Sequence, residues 1–450
     1  MTRPDLLLIC TDQQHAGMMS CAGNPWLRTP AVDGLAARGT RFTRAYATNP
    51  ICVPSRFSMM TGRMPSEIGL RGNQLYFDHT LPLGEITDEI KATALGHRLR
   101  AAGYETAYAG KQHLVRSQAE DYGFSVLTDD WYGGGAQAAA DFLRRPHDRP
   151  IALQVHLMNP HDIALMAVRD SQETEEDRQW VAMDRPALAN LDAAMAAPAG
   201  LDAETFFSEV CPPLPDNFAP QEPEPGAVKR RTSAPGSLRY IRERWDDRRW
   251  RLHRWAYARL TESVDAQVGL VLDALAESGR QERTLVVFAS DHGDMDGAHR
   301  LVSKAFFYEE SANVPFIMAG PGVPAGVVDD DHLVSLGLDL LPTFCDFAGA
   351  PVANDPRGRS LRRLIEAAAP NRRDDVPVES ADGDCVVGTR WKYARFGACG
   401  DEEWLVDMHD DPGELRNRAA DTDVPEVLAA CRERWHAHFG GDTHRGGAGL

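Results

Sequence analysis

The chain has no Cys-x-x-Cys pair, no internal repeat, no apolar run approaching a membrane span, and too few cations to balance its acids. Each absence excludes something. The eight cysteines, at 10, 21, 52, 211, 345, 385, 399 and 431, lack the paired spacing of a zinc or dithiol site. A disulfide framework is not expected either, because a chain of 450 residues can bury its own core. Lys plus Arg number 48 against 66 Asp plus Glu, a formal charge of −18. That argues against nucleic acid, which needs a basic face to displace phosphate counterions, and against adhesion to anionic lipid by charge alone. The N-terminal run Leu6-Leu7-Leu8-Ile9-Cys10 falls short of the roughly 7–15 apolar residues of a secretory signal. No later run reaches the ~20 residues that cross a bilayer. These absences point to a cytoplasmic protein with reduced thiols.

What is present is the pattern of a packed α/β chain. Hydrophobic residues make up 43% and charged residues 25%, so the protein is not disordered. Short apolar runs alternate with helical periodicity, as in a doubly wound, mostly parallel sheet covered on both faces. Strands are expected at Leu6–Cys10, Thr106–Ala109, Ile151–Leu157, Thr284–Ala289 and Val314–Ala319. A helix around Thr93–Ala102 precedes the second, with Gly103 to end it. Tyr257, Leu260, Val264, Val268, Val271 and Leu275 recur at spacings of three and four, predicting a helix that stops near Gly279. Prolines crowd Pro198–Pro235, read as a long loop within an insertion at about 165–236. The Arg- and Trp-rich stretch after it, Arg239–Arg259, reads as a solvated helix with Trp245, Leu252 and Trp255 turned inward, not as an RNA-binding element. From about Arg357 the pattern changes to short strands, among them Cys385–Val387 and Trp391–Phe396, a turn at Asp410–Gly413 and a final helix. The expected division is a catalytic α/β domain at 1–356 and a small α+β subdomain at 357–450.

Polar residues cluster where the strands end. Asp12 and Gln13 follow the first, Lys111 and His113 the second, His161 and Asp162 the third, and Asp291 and His292 the fourth. Doubly wound sheets bind ligands beyond the carboxyl ends of their strands, so these groups should converge. They could bind an anion or a metal. The sharpest local signal is Cys52-Val53-Pro54-Ser55-Arg56, continuing to Thr61-Gly62. Pro54 suits the first turn of a helix and Gly62 its end. Cys52 then lies at a helix N-terminus, where free amides favour anions. It reads either as a small buried residue or as a thiolate nucleophile activated by Arg56.

Cys-x-Pro-Ser-Arg with its following Thr-Gly resembles the signature of the sulfatase family, whose cysteine is oxidised to formylglycine. Asp12, Gly110-Lys111-Gln112-His113, Pro160-His161-Asp162, Asp291-His292-Gly293-Asp294, Lys304 and the later Asp411-Pro412-Gly413-Glu414 are similar to family motifs in family order. The resemblance spans nearly the whole chain and implies an alkaline-phosphatase-like fold. It implies a formylglycine gem-diol at position 52 that attacks sulfur and then expels sulfate as its second hydroxyl is deprotonated. A formylglycine-generating maturation enzyme would be required. Asp12, Gln13, Asp291 and His292, with residue 52, would hold one divalent cation. Arg56 would orient the diol, Lys111 and Lys304 would neutralise sulfate oxygens, His113 would take the diol proton, and His161 would serve the leaving oxygen. Asp12-Gln13 replaces the consecutive aspartates of many sulfatases and is similar to the choline-sulfatase and phosphonate monoester hydrolase branch. The ligand set is hard with one borderline nitrogen, so Ca²⁺ is favoured and Mn²⁺ or Mg²⁺ fits. A second difference is Asn159 before Pro160 and Ile163 after Asp162, where that branch often has His and Pro; His156 nearby reads as structural.

The expected function is hydrolysis of a small anionic sulfate ester. The alternatives are a phosphonate monoester or phosphodiester hydrolase using the same site and, more remotely, an inactive binding protein. Homo-oligomerisation is left open. Trp26, Asn73 and Glu379 are candidate pocket walls on chain position alone. Since the substrate is an anion and the protein is acidic, the site must be a local positive island.

Overall fold

A computed structural model describes residues 3–73, 86–352, 357–365, 372–397 and 402–440. Its centre is an eight-stranded sheet built from β1 (Asp5–Asp12), β2 (Gly39–Phe42), β4 (Glu105–Gly110), β5 (Ser125–Thr128), β6 (Ile151–Pro160), β7 (Thr284–Ser290), β8 (Phe316–Ala319) and β9 (Val327–Asp329). The spatial order is β5-β4-β6-β1-β7-β8-β2-β9. β5, β4, β6, β1 and β7 pair in parallel. A two-stranded pair of β3 (Ala45–Tyr46) and β10 (Val334–Ser335) lies apart from it.

The alternation of side chains along β1 explains why both faces are covered. Leu6, Leu8 and Cys10 join one buried cluster with Val53, Phe57 and Phe344. Leu7 and Ile9 join the other, with Val264, Val268 and Leu275. Successive residues of a strand point to opposite faces, so a strand apolar at every position demands helices on both sides. One face is covered by the 31-residue helix Asp247–Glu277, ended by Gly279 at φ 69°. The other is covered by Cys52–Thr61 and Leu336–Ala348. Each fully buried Leu or Phe contributes about 1.5–3 kcal/mol relative to exposure, so the sheet is a firm platform for what projects from its ends.

Four of the five anticipated strands lie in the parallel set; the fifth, β8, runs antiparallel to β7. The reason is topological. The chain leaves the carboxyl end of β7, forms a long loop there and re-enters from that same end. The proline-rich stretch also differs from expectation: Ala203–Val210 and Gly226–Ser233 are helical, and Ala227 and Val228 are buried against the C-terminal sheet. Pro225 directly precedes the latter helix, a position where a missing N–H costs nothing. Trp245 and Trp255 are buried, but Trp245 caps the helix Ser237–Arg244 and Asp246 starts the next, so the periodicity crosses a break.

A second sheet near the C-terminus is antiparallel: β11 (Asp375–Glu379), β12 (Asp384–Gly388), β13 (Trp391–Phe396) and β14 (Glu402–Asp407), packed by the helix Pro425–Phe439. The expected boundary at 356–357 adjoins 353–356, outside the described residues. The cysteines of the described residues are all free, and Cys399 lies outside them. No helix among the described residues is long and apolar enough to cross a membrane.

Gly110, the last residue of β4, has φ 90°, and an added Cβ would fall on the His156 carbonyl oxygen of β6. It is the residue that turns the chain into Lys111. Gly110→Ala is expected to lower stability by at least about 2 kcal/mol, through left-handed strain plus the clash. Urea denaturation of the two proteins measures this; an unchanged midpoint would contradict it.

Candidate active site

The carboxyl ends of β1, β4, β6 and β7 meet the N-terminus of α1 (Cys52–Thr61), and the chemistry-bearing residues converge there. All ten residues of α1 are buried, and its Gly62 terminates it at φ 68°. Its first turn is held from outside: the Val53 N–H donates to Asn73 Oδ1 at 3.0 Å, and Ser55 Oγ donates to the Asp291 carbonyl at 2.6 Å. Asn73, considered as a wall by chain position, is thus a partner of the helix start.

Arg56 is the hub. Its Nη2 donates to Asp12 Oδ2 at 2.8 Å and its Nε to Asp291 Oδ2 at 2.9 Å. Nη1 reaches the Lys111 carbonyl at 3.0 Å and His156 Nδ1 at 2.9 Å. His156 in turn stacks on Tyr108 with ring centroids 4.6 Å apart, and its Nε2 meets Gln154 Oε1 at 3.1 Å. One guanidinium therefore joins four strands, β1, β4, β6 and β7. Lys111 Nζ shares Asp12 Oδ2 at 2.7 Å.

The oxygens left over face Cys52. Asp12 Oδ1 is 3.8 Å from Cys52 Sγ and 3.7 Å from His292 Nε2. Asp291 Oδ1 is 3.6 Å from the same nitrogen and accepts the Gln13 N–H at 3.2 Å. His292 Nδ1 donates to the Gly293 carbonyl at 2.9 Å, and its Nε2 faces Cys52 Sγ, 3.1 Å away. Second-partner bonds of this kind fix the tautomer of a metal-binding imidazole. Ligand atoms of Asp12, Cys52, Asp291 and His292 all lie within 4.8 Å of one another. Gln13 Oε1 accepts from Lys304 Nζ at 2.8 Å while its amide donates to Asp294 Oδ2 at 2.6 Å. It stands beside the four, linked to them through Lys304, whose Nζ is also 2.9 Å from Cys52 Sγ.

The electrostatics follow from this crowding. Burial would push Asp12 up, but Lys111, His161 and Arg56 hold it well below the usual carboxylate range. Burial and the adjacent Asp12 push Asp291 up to about 6. A dication between two such carboxylates would relieve that repulsion, so the donor set fits one. Burial and Asp12 oppose ionisation of Cys52, yet Lys304, His292 and Lys111 prevail and hold its thiol well below the ordinary value. His113 is pushed down to about 4 by burial and Lys111, and His161 to about 3 by burial, Lys304 and Lys111. Both are therefore neutral imidazoles near pH 7, able to accept a proton or donate one N–H, and both hydrogen-bond toward Cys52.

Cys52 is 0% exposed, whereas Lys304, His161 and His113 are 9%, 8% and 6% exposed, so the site's remaining solvent-facing surface belongs mostly to these three. Arg56, Lys111 and Lys304 thus face Asp12, Asp291 and the readily ionised thiol of Cys52 in one buried cluster. Asp12, Gln13, Cys52, Arg56, Lys111, His113, His161, Asp291, His292 and Lys304 all lie at this convergence. Glu379 does not: it is buried and accepts from the Ser66 amide and hydroxyl at 2.8 and 2.6 Å. Trp26 is half-buried, with its carbonyl taken by Arg259 at 2.6 Å. Two side chains that the sequence did not reveal are Trp131 and Trp180, whose rings approach Lys111, His113 and His161. No motif marks them; only the fold places them here.

Arg56→Ala would leave two buried carboxylates facing each other without their shared cation. It is expected to cost about 3–5 kcal/mol, measured by urea denaturation, with Arg56→Lys recovering part of the loss. A cost under about 1 kcal/mol would show that Arg56 does not organise the site.

The family model described as Sulfatase matches residues 4–350, and one for the N-sulphoglucosamine sulphohydrolase C-terminal region matches 297–438. The chain is 29% identical to a Delta 4,5-hexuronate-2-O-sulfatase of Bacteroides thetaiotaomicron, over 96% of this chain and 87% of that one. It is 28% identical to a choline-sulfatase of Rhizobium meliloti, over 97% and 87%. A crystal structure from Bacteroides thetaiotaomicron superimposes with a TM-score of 0.80 at 27% identity, covering 98% of this chain and 92% of the other. With a family match over residues 4–350, most of its length, the chain belongs to the sulfatase family.

Proposed function

We propose that the protein is a sulfuric ester hydrolase that uses residue 52, converted from cysteine to formylglycine by a maturation enzyme, and one divalent cation. The observation that carries this reading is the meeting of Cys52 with His292, Lys304 and Asp12 at the ends of parallel strands. The hexuronate and choline sulfatases among its relatives support a sulfate ester as substrate. Hydrated formylglycine supplies two hydroxyls on one carbon, one to attack sulfur and one whose deprotonation expels sulfate. A dication held by Asp12, Gln13, Asp291 and His292 supplies Lewis acidity toward a sulfate oxygen; the oxygen-rich set suits Ca²⁺.

The chain's own residues do the rest. Arg56 keeps both carboxylates ionised and oriented, so their free oxygens stay turned toward residue 52. Lys111 and Lys304 neutralise sulfate oxygens as charge redistributes, in a setting where water is excluded and such charges act strongly. His113, neutral and against residue 52, accepts a proton from the hydroxyl there. His161, at the more exposed edge, donates its N–H to the departing ester oxygen. Residues 1–356 would carry this chemistry, with 357–450 as the smaller subdomain.

Mass spectrometry of the Cys52 peptide, after co-expression with a formylglycine-generating enzyme, should show a loss of about 18 Da. That material should release sulfate from aryl, alkyl or sugar sulfates, and Cys52→Ala should fold normally with turnover lower by at least about a thousandfold. Sulfate release at an unchanged rate by Cys52→Ala would contradict the assignment. Chelation should lower the Tm and abolish turnover, with added Ca²⁺ restoring both; Asp291→Asn should be insensitive to Ca²⁺ in the Tm assay.

A further inference from the structure

Lys304, His161 and His113 are the most exposed side chains around residue 52, and two indoles lie against this group. The centroid of Trp131 is 5.1 Å from Lys111 Nζ and 5.7 Å from that of His113. Trp180 is 6.1 Å from His161, tilted by 45°. Both indoles are half-buried, so each keeps free surface beside the side chains nearest the departing oxygen. We propose that Trp131 and Trp180 are two walls of the leaving-group subsite and select sulfate esters whose alcohol or phenol sits on a ring. This rests on the sulfate-ester reading above.

The walls are held rigidly. Asp130 accepts the Tyr132 and Gly134 amides at 2.9 and 3.0 Å, fixing the turn that carries Trp131. Trp180 rides on the helix Glu175–Met183, whose start is capped by Thr174 Oγ1 on the Asp177 amide at 3.0 Å. Tyr132 Oη donates to Asp184 Oδ1 at 2.9 Å, tying the two segments together. Asn190 donates to Asp162 Oδ2 at 2.8 Å, anchoring the same helical insertion beside His161. Neither indole is spent as a hydrogen-bond cap of this scaffold.

A flat apolar face is what such walls recognise, by offset or edge contact with an aromatic ring or the C–H face of a sugar. A quaternary ammonium also favours indoles, but against Trp131 it would share the ring with the Lys111 ammonium at 5.1 Å. Two like charges at one face oppose binding, so the ring is the favoured occupant.

The test uses full-length protein. In the Cys52→Ala background, calorimetry would measure binding of 4-nitrophenyl sulfate, glucose 6-sulfate, choline sulfate and methyl sulfate, with and without Trp131→Ala or Trp180→Ala. In formylglycine-bearing enzyme the same substitutions would be assayed for kcat and KM. Each Trp→Ala change is expected to weaken a cyclic sulfate about tenfold, through Kd and KM, and to leave methyl sulfate within about twofold. Trp→Phe should recover part of the loss. Whether the phenyl or the sugar ester responds more tells which ring the walls fit. Equal losses on all four ligands, no loss on either ring, or a Trp-dependent preference for choline sulfate would overturn the proposal. Failure of formylglycine-bearing wild type to release sulfate would instead remove the functional reading, while the binding arm still decides the role of the indoles.

Discussion

The ion-pair web around Arg56 is what the rest of this structure depends on, because it buries charge where burial is most expensive. A lone guanidinium, or a lone carboxylate, taken from water into such an interior costs several kcal/mol. Arg56 is accommodated since each nitrogen of its fork meets an acceptor: two carboxylates, a main-chain carbonyl and a histidine ring nitrogen. The arrangement is a poor way to add stability and a good way to add direction. Each carboxylate spends one oxygen on the web and keeps the other for the space beside Cys52. Geometry of this kind needs a rigid base, which the two-sided burial of β1, β6 and β7 supplies.

The acidity of the chain gains a sharper meaning from that centre. A net charge of −18 opposes the approach of an anionic ester, although salt screens the effect over about 8–10 Å. Lys111, Lys304 and Arg56 concentrate positive charge beside Asp12, Asp291 and residue 52, and all three are almost fully withdrawn from solvent. The field an ester meets outside the protein and the field at residue 52 thus have different sources. His113, His161 and Lys304 are the most exposed side chains of the centre, with the indoles of Trp131 and Trp180 beside them.

Much of this was legible in the sequence because it is local. The apolar runs of β1, β6 and β7 stand out as strands, the stripe Val264–Leu275 as a helix, and the Cys52–Arg56 signature as a helix start. The convergence of Asp12, Lys111, His161 and Asp291 followed from one rule about the carboxyl ends of parallel strands. What was not legible is what depends on returning chain. The antiparallel β8 follows from the loop at the end of β7, and the helix Gly226–Ser233 from burial against a sheet that comes much later in the chain. Trp131 and Trp180 lie outside any signature, one in a turn after an edge strand and one in an insertion. Their relation to His113 and His161 exists only in three dimensions. Glu379 shows the converse, since a buried acid near the right place in the chain proves to serve Ser66.

The central claim is that the residues around position 52 are organised to cleave a sulfate ester. The most direct measurement is kcat/KM of formylglycine-bearing enzyme for a sulfate monoester and a phosphonate monoester of the same alcohol, at the same pH and metal concentration. This account predicts a preference for the sulfate of at least about tenfold, a barrier difference of about 1.4 kcal/mol. Equal rates, or faster cleavage of the phosphonate, would contradict it.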